Sequence, residues 1–113
     1  MRIESYRFGH IVIDGNTYSS DLIIYPDRVQ TDWRRREGHR LVPEDLKGVV
    51  DEEARTLVVG TGSFGLMSVL PRTLEYLTSQ GFEVIVQKTD DACETYNELS
   101  QRRKVVAALH LSC

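Results

Sequence analysis

A glycine-rich segment, residues 60–65, has the spacing of a cofactor-binding loop. It reads Gly-Thr-Gly-Ser-Phe-Gly after an apolar run and so matches the G-x-G-x-x-G pattern of dinucleotide sites. That chemistry requires a helix directly after the glycines and an acidic residue at the end of the next strand. Here the next helix is predicted to begin only at Pro71, Glu83 lies at the start of its strand, and Asp90 comes too late. We therefore interpret the segment as a tight turn after a buried strand and predict that NAD and NADP do not bind.

A small anion is the ligand that such a turn could accept, because exposed N–H groups of glycine-rich backbone can hold negative charge. Hydroxyl groups at the end of this strand and of its predicted neighbour would add donors, and a following arginine would add charge. The candidate ligand-binding residues are Gly60, Thr61, Gly62, Ser63, Arg72 and Thr89. A Walker A loop is excluded, because no Gly-Lys-Ser/Thr follows, and we predict no cofactor.

Ser63 also lies in a near match to the nucleophile elbow G-x-S-x-G, with Thr61 in place of the first glycine. Asp90 or Asp91 and then His110 follow in the order used by α/β-hydrolases. Chain order alone is weak evidence, and His110 lies in an apolar run where a hydrogen-bonded core histidine is the simpler interpretation. We therefore assign no catalytic residue and leave enzymatic activity open.

A basic segment, residues 33–40, places four arginines and His39 beside Trp33. One interpretation is a phosphate or RNA site with the indole as a stacking platform. The favoured interpretation is a solvated loop with Trp33 packed beneath it, because five acidic residues follow within fifteen positions. The net charge of −3 also makes nucleic acid an unlikely partner.

Metal-binding and redox chemistry have no pattern in this chain. His10, His39 and His110 are scattered, so we predict no metal site. Cys93 and Cys113 form no C-x-x-C pair and are expected to be free thiols. The 113 residues, 41% of them hydrophobic, fit one domain over 1–113 with no membrane-spanning run. Because the N-terminus lacks the apolar stretch of a signal peptide, we expect a cytoplasmic protein.

The N-terminal part of the chain has the alternation of an antiparallel meander. Three strand-like runs lie near residues 5–13, 17–25 and 28–33. Asp14-Gly15-Asn16 favours a hairpin between the first two, and Pro26-Asp27 favours a second turn.

The C-terminal half reads as parallel β-α-β-α-β, preceded by a short helix that begins at Pro43. The strands are TLVVG, FEVIVQ and the almost wholly apolar run 105–111, which we expect to be central and buried. The first long helix starts at Pro71 with Leu70, Leu74 and Leu77 on one face. The second has Thr89 as N-cap and an apolar stripe of Ala92, Cys93, Tyr96 and Leu99. The sequence thus predicts an α/β fold.

The chain also resembles a family of small domains found in archaea, bacteria and eukaryotes, which includes a mitochondrial assembly factor of respiratory complex I and the adipogenesis-associated domain protein. The resemblance covers nearly the whole chain. Its most specific positions are Trp33, Gly38, His39, Gly60, Thr61, Gly62, Thr89, Ala92, Tyr96, Asn97 and Arg103.

This resemblance implies a three-layer α/β fold with a mixed central sheet and no established catalytic activity. It favours a non-catalytic interaction or assembly domain whose partner is another protein, and a homo-oligomer is also open. The alternative is a small-molecule binding protein or enzyme that takes an anionic or nucleotide-like ligand at the glycine turn. An exposed apolar patch would favour the first function, and a cleft beside Gly62 that holds an anion would favour the second.

Overall fold

The chain forms ten strands, a 3₁₀ turn and three helices in a computed structural model that describes all residues from 1 to 113. The elements are β1 (Ile3–Arg7), β2 (His10–Ile13), β3 (Asn16–Tyr18), β4 (Leu22–Tyr25), β5 (Arg28–Gln30), β6 (Arg40–Leu41), a 3₁₀ turn (Pro43–Leu46), α1 (Lys47–Val50), β7 (Thr56–Thr61), β8 (Ser68–Val69), α2 (Pro71–Ser79), β9 (Glu83–Gln87), α3 (Thr89–Leu99) and β10 (Val106–His110). None of the helices is both long and apolar enough to cross a membrane.

The central sheet has five strands in the order β5-β4-β10-β7-β9. β10 pairs parallel with β7, which pairs parallel with β9, while β4 and β5 are antiparallel additions on the other side of β10. Strands β1, β2 and β3 form a separate antiparallel sheet, and β6 pairs with β8. The predicted α/β fold with a mixed sheet and a parallel C-terminal half is confirmed.

β10 lies at the centre of the sheet, and all five of its residues are buried. Side chains alternate along it: Val106 and Ala108 join a core shared with α1 and α2, while Ala107 and Leu109 join a core shared with α3 and β1–β3. This alternation produces three layers, with the sheet in the middle. The prediction of a central buried last strand is confirmed.

The N-terminal meander is divided between two sheets. The run 5–13 contains a turn at Gly9, with φ of 69°, and therefore forms the β1–β2 hairpin. The predicted turn at Asp14-Gly15 is confirmed, with positive φ at both residues. The run 17–25 breaks before Leu22, so that β3 pairs with β2 whereas β4 pairs with β10. The third run, predicted over 28–33, ends as a strand at Gln30.

The helices differ from prediction in two details. α2 begins at Pro71 as expected, but its buried residues are Thr73 and Leu77, while Leu74 is 37% exposed. The Thr73 hydroxyl donates to Leu41 O at 2.7 Å, which explains how a polar side chain is buried there. Thr89 is not the N-cap of α3, because it is the first helical residue and its hydroxyl bonds elsewhere.

Candidate functional site

The glycine turn 60–65 follows β7 at the carboxyl edge of the parallel strands. A Cβ on Gly60 would lie 2.8 Å from Thr89 Oγ1 and 2.9 Å from Leu109 Cδ2. Gly62 has φ of +106°, and its Cβ would lie 2.3 Å from the carbonyl carbon of Cys113. Close backbone approach and positive φ thus explain both glycines without a cofactor.

Most N–H groups of this turn already donate within the protein. The bonds run from Gly62 to Thr89 Oγ1 at 2.8 Å, Ser63 to Ser112 O at 2.6 Å, Gly65 to Gly62 O at 3.2 Å and Leu66 to Cys113 O at 3.0 Å. Phe64 is the residue of the turn whose N–H has no acceptor. The turn is therefore fixed to the segment that follows β10.

The polar side chains at this edge also have partners. The Thr89 hydroxyl is buried, accepts from Gly62 N–H and donates to His110 O at 2.6 Å. Thr61 Oγ1 donates to Gln87 O at 3.1 Å. Ser63 Oγ lies 2.6 Å from the hydroxyl of Tyr6. Burial raises the pKa of that tyrosine even though Ser63 favours its ionised form.

Arg72 does not join the other candidate ligand-binding residues. Its guanidinium lies 3.9 Å from Glu44 in the 3₁₀ turn, an exposed ion pair on the flank of α2. The cation beside the glycine turn is Lys88, whose Cγ would lie 3.3 Å from a Cβ on Gly65. The structure thus brings together Gly60, Thr61, Gly62, Ser63 and Thr89 but leaves Arg72 elsewhere.

A buried ionic cluster of Asp21, Arg35 and His110 lies at the same edge. Arg35 Nη1 is 2.8 Å from Asp21 Oδ2, and His110 Nδ1 is 2.8 Å from the same oxygen. Asp21 Oδ1 accepts the Leu111 N–H at 2.7 Å. The Arg35 Nη1 contact is not aligned as a hydrogen bond, so Coulomb attraction carries it.

The geometry of this cluster assigns the tautomer of His110. Asp21 Oδ2 lies 2.8 Å from His110 Nδ1 and can only accept, so Nδ1 carries the hydrogen and donates it to Asp21. Arg35 Nη2, 3.2 Å from the same nitrogen, then makes no hydrogen bond to it and donates to Gly38 O at 2.9 Å. His110 Nε2 is then buried without a partner. Burial alone would raise the pKa of Asp21, but hydrogen bonds from His110 and the Leu111 N–H outweigh it and lower that pKa.

The hydrolase combination of Ser63, Asp90 or Asp91, and His110 is not assembled. His110 is held by Asp21, and Ser63 Oγ is hydrogen-bonded to Tyr6. The Asp90 side chain accepts the Asp91 N–H at 2.9 Å and makes no hydrogen bond to His110.

The basic segment 33–40 is partly as predicted. Trp33 is buried and donates its indole N–H to Asp45 O at 3.1 Å, while Arg34, Arg36 and Arg40 are exposed. Arg35 was wrongly placed in the solvated loop, since its guanidinium packs 4.8 Å from the Trp33 ring centroid and enters the buried cluster. No spacing in the sequence signals this cluster, because Asp21 precedes β4, Arg35 lies in the basic segment and His110 is the last residue of β10.

The remaining family-motif positions also contribute to this architecture. Gly38 accepts the Arg35 hydrogen bonds, and the His39 ring meets the His110 ring edge-on at 5.8 Å between centroids. Asn97 holds β1 to α3, because its amide bonds both Ile3 N–H at 2.8 Å and Ile3 O at 2.7 Å. The two remaining motif residues are Tyr96 and Arg103. Burial raises the pKa of Tyr96 to about 12, and Arg103 pairs with Glu83 at 2.9 Å.

An exposed aromatic patch adjoins the glycine turn. Phe8, in the β1–β2 turn, is 54% exposed and Phe64 is 64% exposed, with ring centroids 5.9 Å apart. Leu66, two residues further, is also 54% exposed. We call these three residues the aromatic patch. Large apolar side chains that meet in solvent indicate a contact surface rather than a catalytic cleft.

Comparison with solved structures identifies close structural relatives. The conserved hypothetical protein PH1505 from Pyrococcus horikoshii OT3 matches with a TM-score of 0.85 and 33% identity, over 100% of both chains. The Rpa2829 protein from Rhodopseudomonas palustris matches with a TM-score of 0.76 and 31% identity, over 96% of this chain and 81% of that one.

One protein of similar sequence is named as an assembly factor. The NADH dehydrogenase [ubiquinone] 1 alpha subcomplex assembly factor 3 of Xenopus tropicalis is 28% identical over 109 residues. The match covers 96% of this chain but 59% of the frog protein. The family model described as a protein of unknown function (DUF498/DUF598) matches residues 3–110. The chain therefore belongs to the DUF498/DUF598 family.

Proposed function

We propose that this domain is a non-catalytic protein-interaction domain of the assembly type, which docks a partner protein through the aromatic patch. The observation that carries the proposal is the contact between Phe8 and Phe64 in solvent. Both turns are held to the segment after β10, through Gly9 N–H to Leu111 O at 2.8 Å and Ser63 N–H to Ser112 O. Rigid aromatic anchors bind with a low entropic cost.

The charges around the patch define the partner further. Arg7 precedes Phe8, Lys88 packs along Gly65, and neither cation has an acidic partner within 4.0 Å. We infer that the partner offers an apolar pocket for the two rings with acidic side chains at its rim. The assembly-factor name of the frog relative supports a protein partner. We propose the cytoplasm as the location.

Affinity capture from native cells with serine variants of the patch tests this proposal. Phe64→Ser should remove the captured partner, and with the purified partner it should weaken binding about 30-fold, or ~2 kcal/mol, as for an aromatic anchor. Arg34→Ser is the control, because Arg34 is exposed, has no ion pair and lies outside both the patch and β9. Equal loss of binding in both variants, or retention in both, would contradict the aromatic patch as the docking surface.

The second candidate ligand is a small anion at the glycine turn. The observation in favour is the Phe64 N–H, which has no acceptor, beside the Lys88 side chain. Because the hydroxyls of Thr89 and Ser63 and most turn N–H groups are already bonded, we expect Phe64 N–H to provide the backbone contact. Gly60, Thr61 and Gly62 would shape the turn, and Lys88 would supply the charge proposed earlier for Arg72.

A titration with phosphate, followed through amide chemical shifts, tests the anion proposal. The Phe64 amide should shift most, and Lys88→Met should reduce the affinity about tenfold because a charged contact is lost. Arg72→Met is the control and should have no effect. Shifts confined to residues 34–40 would place the anion on the basic segment instead.

A further inference from the structure

The two edges of the central sheet are protected very differently. β5 has three residues, and its Arg28 is paired with Asp27 at 2.7 Å and Glu52 at 3.0 Å. β9 has five residues, Glu-Val-Ile-Val-Gln, with neither proline nor lysine. Proteins usually blunt an edge strand with charge, proline or shortness. β5 is short and carries Arg28, whereas the middle of β9, residues 84–86, is wholly apolar.

The hydrogen-bond register shows which backbone groups of β9 are free. Glu83 N–H donates to Arg55 O at 2.9 Å, and the parallel register pairs Ile85 with Val58. In a parallel ladder, alternate residues direct both backbone groups toward the same neighbour. Glu83, Ile85 and Gln87 therefore face β7, and the N–H and C=O groups of Val84 and Val86 face outward.

Apolar side chains lie along the same edge. Val86 is 42% exposed, and α2 packs over β9. Arg72 contacts Glu44 on the flank of α2 that faces the 3₁₀ turn. Leu74 comes two residues later, about 200° around the helix, and so lies on the opposite flank, toward the free edge of β9.

We propose that a second copy of this chain pairs with β9 antiparallel, across a two-fold axis at Ile85, to form a continuous ten-stranded sheet. Outward-facing residues must oppose each other in such a pair, so Val84 of each copy lies opposite Val86 of the other. Each of these two pairs exchanges two backbone hydrogen bonds.

The charges at the ends of β9 favour this antiparallel arrangement. Glu83 begins the strand and Lys88 follows it, and Lys88 has no acidic partner within its own chain. Antiparallel pairing brings the acidic end of one strand to the basic end of the other, whereas parallel pairing would place like charges together. The Glu83–Arg103 pair is solvent-exposed and can accept the additional cation.

Sedimentation and amide exchange at protein concentrations about fifty-fold apart test the proposal. We expect dimer at the higher concentration, with the amides of Val84 and Val86 protected only there. The amides of Glu83, Ile85 and Gln87 should be protected at both concentrations, because they bond to β7. Concentration-independent exchange of Val84 and Val86, or a monomer throughout, would overturn the proposal.

Val86→Lys should weaken dimerisation at least about tenfold, because it places two lysines across a narrow interface. Leu66→Lys is the matched control, since it alters the aromatic patch and should leave the dimer intact. A dimer that survives Val86→Lys would contradict pairing through β9. Loss of partner capture in Leu66→Lys, with the dimer unchanged, would separate this proposal from the proposed function.

Discussion

Replacing Arg35 with methionine tests the importance of the buried ionic cluster. The substitution keeps an unbranched side chain that can cover Trp33, but it removes the cation that lies 2.8 Å from Asp21. It also removes both hydrogen bonds to Gly38 O, at 2.9 and 3.1 Å. Asp21 would then keep only His110 and the Leu111 N–H as partners.

The expected loss of unfolding free energy follows from burial. The Arg35 side chain is 5% exposed and that of Asp21 is 17% exposed, so solvent screens this pair weakly. Breaking a buried pair from one side costs about 3–5 kcal/mol. Because Asp21 keeps two hydrogen bonds and some solvent contact, we expect a value near the lower end, ~3 kcal/mol. For a domain of this length, that lowers Tm by roughly 10 °C or more.

Urea unfolding followed by circular dichroism provides the measurement. Arg34→Met is the matched control, since Arg34 is exposed and has no ion pair, and it should change stability by less than about 0.5 kcal/mol. A double-mutant cycle with Asp21→Asn should give a coupling energy above about 1 kcal/mol. If the two arginine variants were equally stable, the cluster would not stabilise the fold as reasoned here.

Five further predictions concern this cluster and other parts of the fold. The folded pKa of Asp21 is below the unfolded value of about 3.9, so its stabilising contribution should be complete above about pH 5 and be lost as the pH falls through the folded pKa. The difference in unfolding free energy between wild type and Asp21→Asn should therefore shrink at acidic pH. A difference that stays constant with pH would contradict the lowered pKa. Gly62→Val should destabilise the fold by about 3 kcal/mol or more, because φ at Gly62 is positive and Cys113 occupies the position of the added Cβ. Ser63→Ala should cost only about 1 kcal/mol, through loss of the hydrogen bond to Tyr6. Chemical denaturation should find Gly62→Val the less stable of the two variants, and the reverse order would contradict this reasoning. Burial raises the pKa of Cys93 to about 12, so a thiol reagent should modify Cys113 in the native protein and reach Cys93 only after unfolding; rapid modification of both thiols would refute this. In hydrogen exchange, the backbone amides of β10 should be the slowest of the chain, and fast exchange there would contradict its central position. Calorimetry should detect no micromolar binding of NAD or NADP.

The fold was largely predictable because its signals are local. The almost wholly apolar run around β10, the Pro71 helix start and the Asp14-Gly15 turn each reflect the preference of a few neighbouring residues. The division of the run 17–25 between two sheets was missed, because strand pairing depends on partners far away in the chain. The exposure of Leu74 was missed for a related reason, since α2 orients its buried Thr73 toward Leu41 rather than following hydrophobicity alone.

The candidate site was harder to predict. The glycines and Thr89 were recognised as neighbours, but their hydrogen bonds to the segment after β10 depend on tertiary structure. Asp21 and His110 lie 89 positions apart, and no spacing rule connects them. Phe8 and Phe64 were likewise unremarkable in the sequence, because exposure is a property of the assembled surface.

The position of β10 in the sheet also determines how this chain can fold. β4 and β7, its two neighbours, are complete long before β10 is synthesised, yet neither can pair across the centre of the sheet without it. Ribosome-bound chains that lack β10 therefore present the apolar strands LIIY and TLVVGT with no central partner. Because the closing contacts span long stretches of chain, we expect slow, late folding and a dependence on chaperones during translation.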